Sequence, residues 1–393
     1  MTEYKTYELG EVCSRLSSGK GIPASKITPE GKYPVYGGNG LRGFTEQSNF
    51  SGDCAIIGRQ GAFCGNVRYF SGEAYMTEHA VVVCATPEHN TRYLAYLLST
   101  MNLGRLSGQS AQPGLSVKTL AKQQISLPTL EIQTRIASIL AKLDEKIELN
   151  NAINENLEQQ AQMLFQSWYV DFEPFGGSMP TDWEIVSLDT IADFQNGYAF
   201  KSSDLLNEPL SDTYRVFKQG HINRGGGFNA EGTKSWYPKA DAKTLTKYIL
   251  HKGDILMAMT DMKDNVAILG NTAIMPVDDE YIVNQRVGLL RANGKNGITY
   301  PFIYLLTNSK DFLTDLRSRA NSGVQVNLSS AEIKVSETVL APKEINEEFA
   351  AIVTPMLEIM MANQLENERL SQLRDALLPK LISGEINISD IQI

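Results

Sequence analysis

The sequence from Gly38 to Gly43 matches the pattern G-x-G-x-x-G, which in nucleotide-binding proteins forms the turn that cradles a pyrophosphate. Such a site also needs a helix directly after the turn and an acidic residue about twenty positions further on. Residues 44–50 show no helical period, and the acidic residue is absent. We therefore interpret this sequence as a turn, and we interpret the three glycines Gly225–Gly227 as a flexible loop.

No other pattern with catalytic or metal-binding spacing occurs in the chain. The histidines are His79, His89, His221 and His251, and none has a partner at the spacing of a metal site. A phosphate-binding G-x-x-x-x-G-K-[ST] loop is absent, as is the N-P-P-[FY] sequence of adenine methyltransferases. The cysteines form no C-x-x-C pair, which is typical of buried thiols in a reducing cytoplasm. The sequence therefore predicts a non-catalytic, cytoplasmic chain that binds no metal or cofactor of its own.

Two segments that could position binding residues repeat each other at a constant offset of 213 residues. Leu127–Leu164 aligns with Leu340–Leu377, whereas the stretches before and between them resemble each other far less. The identical pairs include Leu127/Leu340, Glu131/Glu344, Ile132/Ile345, Ala137/Ala350, Asn150/Asn363, Asn154/Asn367, Glu155/Glu368, Leu157/Leu370, Gln159/Gln372 and Leu164/Leu377. Two matching supports thus alternate with two divergent globular segments.

Apolar positions in both repeats advance in alternating steps of four and three, which is the heptad spacing of a coiled coil. The first series begins Ile136, Leu140, Leu143 and Ile147, and the second begins Phe349, Val353, Met356 and Met360. Prolines precede and glycines follow each repeat, as start and stop signals do. We predict helices over 130–172 and 343–384, with a kink or a late start at Pro355 in the second.

Two consecutive seam positions in each predicted helix are asparagines, where leucine would be more stabilising. Buried asparagine lowers stability but fixes helix register. If the helices pack antiparallel, Asn150 faces Asn367 and Asn154 faces Asn363. The alternative is a pair of independent surface helices with solvated asparagines.

The globular segments consist of short β-type runs separated by Gly and Asn, each with one apolar helical patch near its end. The helical patches are residues 92–98 and 302–306, and Gly52-Asp53 and Gly253-Asp254 occupy matching positions. The expected fold class is α+β, with two globular mixed α/β domains separated by two long antiparallel helices in pseudo-two-fold symmetry. The expected divisions are domains at 1–129 and 173–342, helices at 130–172 and 343–384, and a tail at 385–393.

The formal net charge of −9 is unevenly distributed. Residues 1–128 hold 12 Lys and Arg against 9 acidic residues, whereas residues 129–180 hold 3 against 8 and residues 342–393 hold 4 against 9. A near-neutral domain can still present a basic face, so a nucleic-acid partner is compatible with this composition. No apolar run reaches the roughly 20 residues of a membrane-spanning helix.

The layout and three phrases of the chain resemble the specificity subunit of type I restriction–modification systems. The phrases are Leu378–Ile386, Ser110–Ser116 and Phe165–Phe172. The resemblance implies that each globular domain reads one half of a split site in double-stranded DNA while the helices set the gap. It also implies two modification (methyltransferase) subunits that bring S-adenosylmethionine, and restriction (translocase/nuclease) subunits that use ATP and Mg²⁺.

Side chains in the glycine-rich breaks are the candidates for DNA contact. Arg reads guanine, Asn and Gln read adenine, and Lys, Arg and hydroxyls hold phosphates. In the first domain the candidates are Tyr36, Asn39, Arg42, Arg59, Gln60, Gln109, Ser110 and Gln112. In the second they are Lys218, His221, Asn223, Arg224, Lys234, Trp236, Tyr237, Asn321 and Gln325, of which Trp236 and Tyr237 fit a domain core equally well.

Two other functions compete with DNA recognition. The first is a structural coiled-coil adaptor that binds proteins through its end domains, against which the basic loops of the first domain argue. The second is a hydrolase or transferase with a site between the domains, against which the lack of a nucleophile with paired carboxylates argues.

Overall fold

The protein is described by a computed structural model that covers residues 4–107, 114–262, 266–322 and 325–388. It divides into two compact units. Unit 1 comprises Met1–Lys146 and Leu370–Ile393, and unit 2 comprises Ile147–Arg369. Both divisions fall within a long helix, so each long helix contributes residues to both units.

Unit 1 is built on a mixed six-stranded sheet. The strands of unit 1 are β1 (Lys5–Glu8), β2 (Cys13–Ser18), β3 (Tyr33–Gly37), β4 (Gly40–Thr45), β5 (Phe50–Gly58), β6 (Val67–Met76), β7 (Ala80–Ala85) and β8 (Gln124–Leu127). The large sheet has the order β2-β7-β5-β6-β3-β4, and β1 pairs with β8. Only the β3–β6 pair is parallel. The helices are α1 (Thr91–Ser99), α2 (Val117–Ala121), the first part of α3 (Leu130–Tyr169) and the last part of α7 (Lys343–Ser383).

The core of unit 1 lies between α1 and one face of the sheet. The side chain of Asn90 caps α1 by accepting from Tyr93 N. Tyr93, Leu94 and Leu98 are fully buried against β5 and β7, together with residues of α3. The predicted helical patch at residues 92–98 is therefore confirmed, and its apolar face packs on the core of unit 1.

Unit 2 contains the same kind of elements in several smaller sheets. Its strands are β9 (Glu184–Ser187), β10 (Ala192–Asn196), β11 (Thr213–Phe217), β12 (Trp236–Pro238), β13 (Ile255–Ala258), β14 (Thr260–Met262), β15 (Thr272–Ile274), β16 (Tyr281–Val283), β17 (Val287–Ala292), β18 (Asn321–Ser322), β19 (Gln325–Asn327) and β20 (Glu337–Leu340). Its helices are the last part of α3, α4 (Tyr300–Asn308), α5 (Lys310–Ser318), α6 (Ser330–Lys334) and the first part of α7 (Lys343–Ser383). The sheet orders are β10-β17-β13-β15, β12-β11-β16, β14-β19-β18 and β20-β9.

An aromatic cluster joins the end of α3 to the rest of unit 2. The rings of Phe165, Tyr169, Phe302 and Phe349 lie within 4.9–6.2 Å of one another, mostly edge to face. The hydroxyl of Tyr169 donates to Asn346 Oδ1 at 2.8 Å, so the one polar group of the cluster is satisfied. Because the cluster is buried, it fixes where α3 ends relative to this unit's core.

The long helices begin where the sequence predicts, at Leu130 and Lys343. A late start of the second helix at Pro355 is therefore wrong, because α7 already runs through residues 343–354. Pro355 and Ala351 both lie on the exposed face of α7. Water can hydrate the carbonyl of Ala351 that proline leaves without an N–H donor, which explains why the helix continues.

The asparagines of the two helices meet inside unit 2 in the predicted antiparallel pairs. Asn150 Nδ2 donates to Asn367 Oδ1 at 2.9 Å, and Asn363 Nδ2 donates to Asn154 Oδ1 at 2.8 Å. Asn150 is fully buried, and its Nδ2 also donates to Glu366 Oε2 at 2.7 Å. The alternative of independent helices with solvated asparagines is therefore wrong for this segment.

Among the described residues, no helix is long and apolar enough to cross a membrane. The same residues contain no group of three or more His, Cys, Asp or Glu side chains that could hold a metal ion.

Candidate nucleic-acid interface

Units 1 and 2 share a backbone arrangement at one end of their sheets. In unit 1, five hydrogen bonds join the strand ends: Gly19 N to Ala80 O (3.0 Å), Lys20 N to Met76 O (2.9 Å), Thr77 N to Tyr36 O (2.9 Å), Arg59 N to His79 O (3.0 Å) and Leu115 N to Arg59 O (2.8 Å). In unit 2, five bonds follow the same pattern: Gly197 N to Val287 O (3.0 Å), Tyr198 N to Val283 O (2.9 Å), Asn284 N to Phe217 O (3.0 Å), Met259 N to Arg286 O (3.2 Å) and Leu328 N to Met259 O (2.9 Å). The two sets define equivalent positions in the two units.

A glycine is required at the same position in both units because the backbone approaches too closely for a side chain. A Cβ on Gly19 would lie 2.1 Å from Met76 O, and a Cβ on Gly197 would lie 2.2 Å from Asn284 O. Real Cβ atoms do not come that close to a carbonyl oxygen. The chain therefore crosses the end of the sheet at the same point in each unit.

We name these two surfaces the recognition edges. Recognition edge 1 consists of residues 19–20, 37–40, 58–60, 77–79 and 114–115, and recognition edge 2 consists of residues 197–198, 218–219, 259–260, 284–286 and 327–328. The stretches that precede α2 and α6 also reach these edges, since Gly114 pairs with Gln60 and Asn327 pairs with Thr260. Each edge thus combines segments that lie far apart in the sequence.

Three arginines surround the turn of recognition edge 1. The turn at Gly38–Asn39 joins β3 to β4, which confirms that the G-x-G-x-x-G sequence is a turn. Arg42 Cδ lies 2.7 Å from the position that a Cβ on Gly37 would take, and Arg68 Cζ lies 3.0 Å from that position on Gly40. The backbone nitrogen of Arg59 lies 3.3 Å from the corresponding position on Gly38.

The guanidinium groups of edge 1 are available for an anionic partner. Arg42 and Arg68 are exposed, and Arg59 is half-buried with its Nη1 3.4 Å from Ser18 Oγ. Within the described part of the chain, none of the three arginines forms an ion pair. Asn39 and Gln60 are exposed beside them, whereas Tyr36 is half-buried with its ring packed against Phe70. The structure therefore brings four predicted residues of the first domain to one exposed surface.

Recognition edge 2 places a different set of side chains on the same backbone. Gln219 is hydrogen bonded to both the hydroxyl and the carbonyl of Thr260, so this amide bridges two segments of the edge. Lys218 is half-buried beside it. Asn223 and Arg224 are exposed in a turn that is fixed by Gly227 N donating to Thr272 O at 2.8 Å, next to the end of β13.

Two candidates of the second domain belong to the core, so their assignment as DNA contacts is wrong. His221 is fully buried between the rings of Phe217, Phe228 and Tyr281, and its Nδ1 accepts from Lys218 N. Burial, with help from Arg215, lowers the pKa of His221 to about 4, so the ring is neutral. Tyr237 is 9% exposed and packs against Phe200. Both side chains fill the space behind the edge.

The remaining seven candidates lie apart from the edge, beside it or outside the described residues. Lys234 is exposed and forms an ion pair with Glu231 at 3.7 Å. Trp236 is half-buried and lines a separate cavity of about 300 Å³ with Arg215 and Glu368. The backbone of Asn321 belongs to β18 and that of Gln325 belongs to β19, and β19 pairs with β14. Gln109, Ser110 and Gln112 lie outside the described residues.

The sequence interpretation missed four exposed or edge-forming residues. Lys20 belongs to edge 1 and Arg68 lies beside its turn at Gly40, whereas Gln285 and Arg286 belong to edge 2. Aligning the two globular segments on Gly19 and Gly197 would have indicated where each edge lies in the sequence. No local pattern marks Arg68, Gln285 or Arg286, because their neighbours on the edge come from other strands.

Comparison with known proteins agrees with this arrangement. The family model described as type I restriction modification DNA specificity domain matches residues 1–159 and 180–374. The specificity subunit of the EcoprrI type I restriction enzyme of Escherichia coli is 41% identical over 157 residues, which cover 39% of this chain and 38% of that relative. The specificity subunit of the MjaIX type I restriction enzyme of Methanocaldococcus jannaschii is 26% identical over 323 residues, which cover 77% of this chain and 70% of that relative.

A solved structure supports the same fold. The S subunit of a type I restriction-modification system from M. genitalium superimposes with a TM-score of 0.65 at 18% identity and covers 97% of this chain and 96% of its own. Both recognition edges and most of both long helices fall inside the range of the family model. This chain belongs to the type I restriction-modification DNA specificity family.

Proposed function

We propose that this chain is the non-catalytic DNA sequence-specificity subunit of a type I restriction-modification complex, acting on DNA in the cytoplasm. Each recognition edge reads one half of a split site in double-stranded DNA. The observation that carries the proposal is the pair of edges with matching backbone hydrogen bonds and different exposed side chains. A shared backbone with varied side chains suits two readers of different base sequences.

The chemistry of the edges supports contact with DNA. The guanidinium groups of Arg42 and Arg68 lie beside the turn of edge 1, that of Arg286 lies on edge 2, and Arg224 is in the turn next to the end of β13. Among the described residues, none of these four arginines forms an ion pair. Guanidinium groups bind phosphates and the major-groove edge of guanine. Exposed amides at Asn39, Gln60 and Gln285 match the donor and acceptor pattern of adenine.

The helices support a second role, the docking of two methyltransferase subunits. In unit 2, Leu149, Ile153 and Met163 of α3 and Ile352 and Ile359 of α7 are exposed apolar side chains. Their spacing forms a second apolar stripe on each helix, apart from the seam that buries Asn150. In the proposed complex, the partner subunits supply S-adenosylmethionine for adenine methylation, and restriction subunits supply ATP- and Mg²⁺-dependent translocation and cleavage.

The long helices are proposed to set the gap between the two half-sites. No glycine occurs within α3 or α7, and each is a single continuous helix. Inserting one heptad into α3 adds about 10 Å of helix, and a matched insertion in α7 keeps the seam in register. We expect the paired insertion to lengthen the preferred gap, whereas an unchanged gap would contradict this role.

Mapping N6-methyladenine across the genome of the host tests the proposed function. Strains with and without this chain should differ by one split sequence motif with a fixed gap. Loss of the chain should remove methylation at that motif and leave other methylated motifs unchanged. Identical methylation maps, together with no shift of duplex DNA by the purified complex, would favour the alternative of a protein-binding adaptor.

A further inference from the structure

We propose that Gln285 and Arg286 are the base-reading pair of unit 2, with Gln285 specifying an adenine and Arg286 a guanine in one half-site. This inference rests on the proposed function and deepens it, because it names the residues and the bases. It is drawn from the placement of the loop between β16 and β17, which no sequence pattern singled out.

The backbone of this loop is fixed by hydrogen bonds on both sides. Gln285 N donates to Tyr198 O at 2.9 Å, and the carbonyl of Arg286 accepts from Met259 N at 3.2 Å. Val287 N donates to Asn284 O at 2.9 Å and closes the turn. The loop is therefore tied to the two neighbouring segments of recognition edge 2, so its side chains start from a defined position.

The side chains of Gln285 and Arg286 are exposed, and their chemistry is that of direct base readout. Within the described residues, Arg286 forms no ion pair, so its guanidinium is not already neutralised by a carboxylate. A guanidinium makes a bidentate contact with O6 and N7 of guanine, and an amide makes one with N6 and N7 of adenine. Adjacent residues with these two groups fit neighbouring base pairs.

The third residue of the loop has a positioning role. Asn284 Oδ1 accepts from Arg286 N at 3.4 Å, so this side chain turns back onto its own loop. Its backbone carbonyl also lies 2.2 Å from the position that a Cβ on Gly197 would take. Asn284 Oδ1 therefore helps to position the backbone of Arg286.

The equivalent loop of unit 1 carries different side chains, so the proposed base-reading pair belongs to unit 2 alone. Glu78 and His79 occupy the positions of Gln285 and Arg286, and His79 Nε2 lies 3.3 Å from Glu78 Oε1. These two groups partner each other, and the exposed cations of edge 1 come from other strands. A change at Gln285 or Arg286 should thus alter only one of the two half-sites.

The test is selection of bound duplexes from a randomised library by the full-length chain in its native complex. Five proteins are compared: the unchanged chain, Arg286→Ala, Arg286→Lys, Gln285→Ala and Lys310→Ala. Lys310 is an exposed lysine of unit 2 at the start of α5, outside the edge, and serves as the matched charge control. Thermal unfolding of each variant checks that the fold is retained.

The unchanged chain and Lys310→Ala should select the same split motif. Arg286→Ala should reduce discrimination at one guanine by about 10- to 100-fold and leave the other half-site intact, and Gln285→Ala should do the same at an adjacent adenine. Arg286→Lys should keep most of the affinity but lose the discrimination, because an ammonium cannot make the bidentate contact.

Two results would overturn the assignment. An unchanged motif with Arg286→Ala would place the base contacts elsewhere, and an equal loss of affinity for all sequences would make Arg286 a phosphate contact. Both results presuppose that the unchanged chain selects a split motif. If it selects none, the proposed function fails instead, so the two failures are distinguishable.

Discussion

The two recognition edges have the same backbone and different side chains, and this difference separates what builds the surface from what reads with it. Five equivalent hydrogen bonds and one obligatory glycine hold each edge together. On that frame, unit 1 displays several arginines around a glycine-rich turn, and unit 2 displays amides with arginines on two loops. The contacts that agree are backbone hydrogen bonds, and the exposed side chains differ between the two units.

Asp254 and Asp53 follow matching glycines in the two units but have different surroundings. Asp254 of unit 2 is 5% exposed and accepts two bonds of 2.7 Å from Arg291. Asp53, which also follows a glycine but lies within β5, is exposed. The sequence repeats a Gly-Asp pair, yet only one unit uses the aspartate as a structural anchor.

The largest effect is expected from filling the glycine positions of the edges. Gly19→Ala should destabilise unit 1, and Gly197→Ala should destabilise unit 2, each by about 4 kcal/mol or more, because the Cβ would overlap a backbone carbonyl. Gly21→Ala is the control, since its Cβ would meet only Glu78 Oε2 at 3.7 Å. Hydrogen exchange resolved along the chain should show loss of protection in the mutated unit. Equal protection in Gly19→Ala and Gly21→Ala would refute the shared geometry.

The next largest effect is a difference in stability between the two units when Asp254 or Asp53 is removed. Asp254→Ala should destabilise unit 2 by about 3 kcal/mol, because it leaves the half-buried Arg291 guanidinium without its carboxylate. Asp53→Ala should change the stability of unit 1 by less than about 0.5 kcal/mol. Hydrogen exchange resolved along the chain measures the stability of each unit separately, and tryptophan fluorescence during urea unfolding also reports unit 2, because all three tryptophans lie there. Similar effects of the two changes would show that the aspartates are equivalent after all.

Acidic pH should lower the stability of unit 2 through protonation of His221. The unfolded chain takes up a proton on this histidine near pH 6.5, whereas the folded ring resists protonation until about pH 4. The stability that neutral His221 supports is therefore complete above about pH 6.5 and falls by roughly 2 to 3 kcal/mol as the pH drops to 4. His221→Phe should remove this part of the pH dependence of unit 2 unfolding. A pH profile that His221→Phe leaves unchanged would rule out this origin.

The smallest effects are expected for single arginines at the edges. Arg59→Ala in unit 1 and Arg224→Ala in unit 2 should each weaken specific DNA binding by about 1 kcal/mol. A base contact would change the preferred sequence of one half-site, and a phosphate contact would weaken all sequences alike and lower the salt slope by about 1. Binding titrations at several salt concentrations measure both. If neither change affects affinity, the surface that touches DNA lies elsewhere.

Local sequence patterns predicted the supports well. The heptad spacing indicated both long helices and the facing of Asn150 with Asn367, because seam residues recur at a fixed period within one element. The helical patches at residues 92–98 and 302–306 are also helices in the structure. The late start expected at Pro355 is wrong because a proline on the exposed face leaves a carbonyl that water can hydrate, so the helix continues through it.

The edges were predicted only in part. Asn39 and Arg42 lie close to Gly38 in the sequence, so the glycine-rich break itself pointed to them. Arg68 reaches the same turn from β6, and His221 and Tyr237 turn inward although they stand in breaks. Strand pairing decides both outcomes, and pairing joins residues that carry no mutual signal in one sequence.

The sequence by itself determined that this protein alternates two helical supports with two globular segments, because helix period, length and capping are properties of contiguous residues. Only the tertiary structure decided which side chains share a recognition edge, because each edge is assembled from five segments whose backbone groups find their hydrogen-bond partners across the sheet.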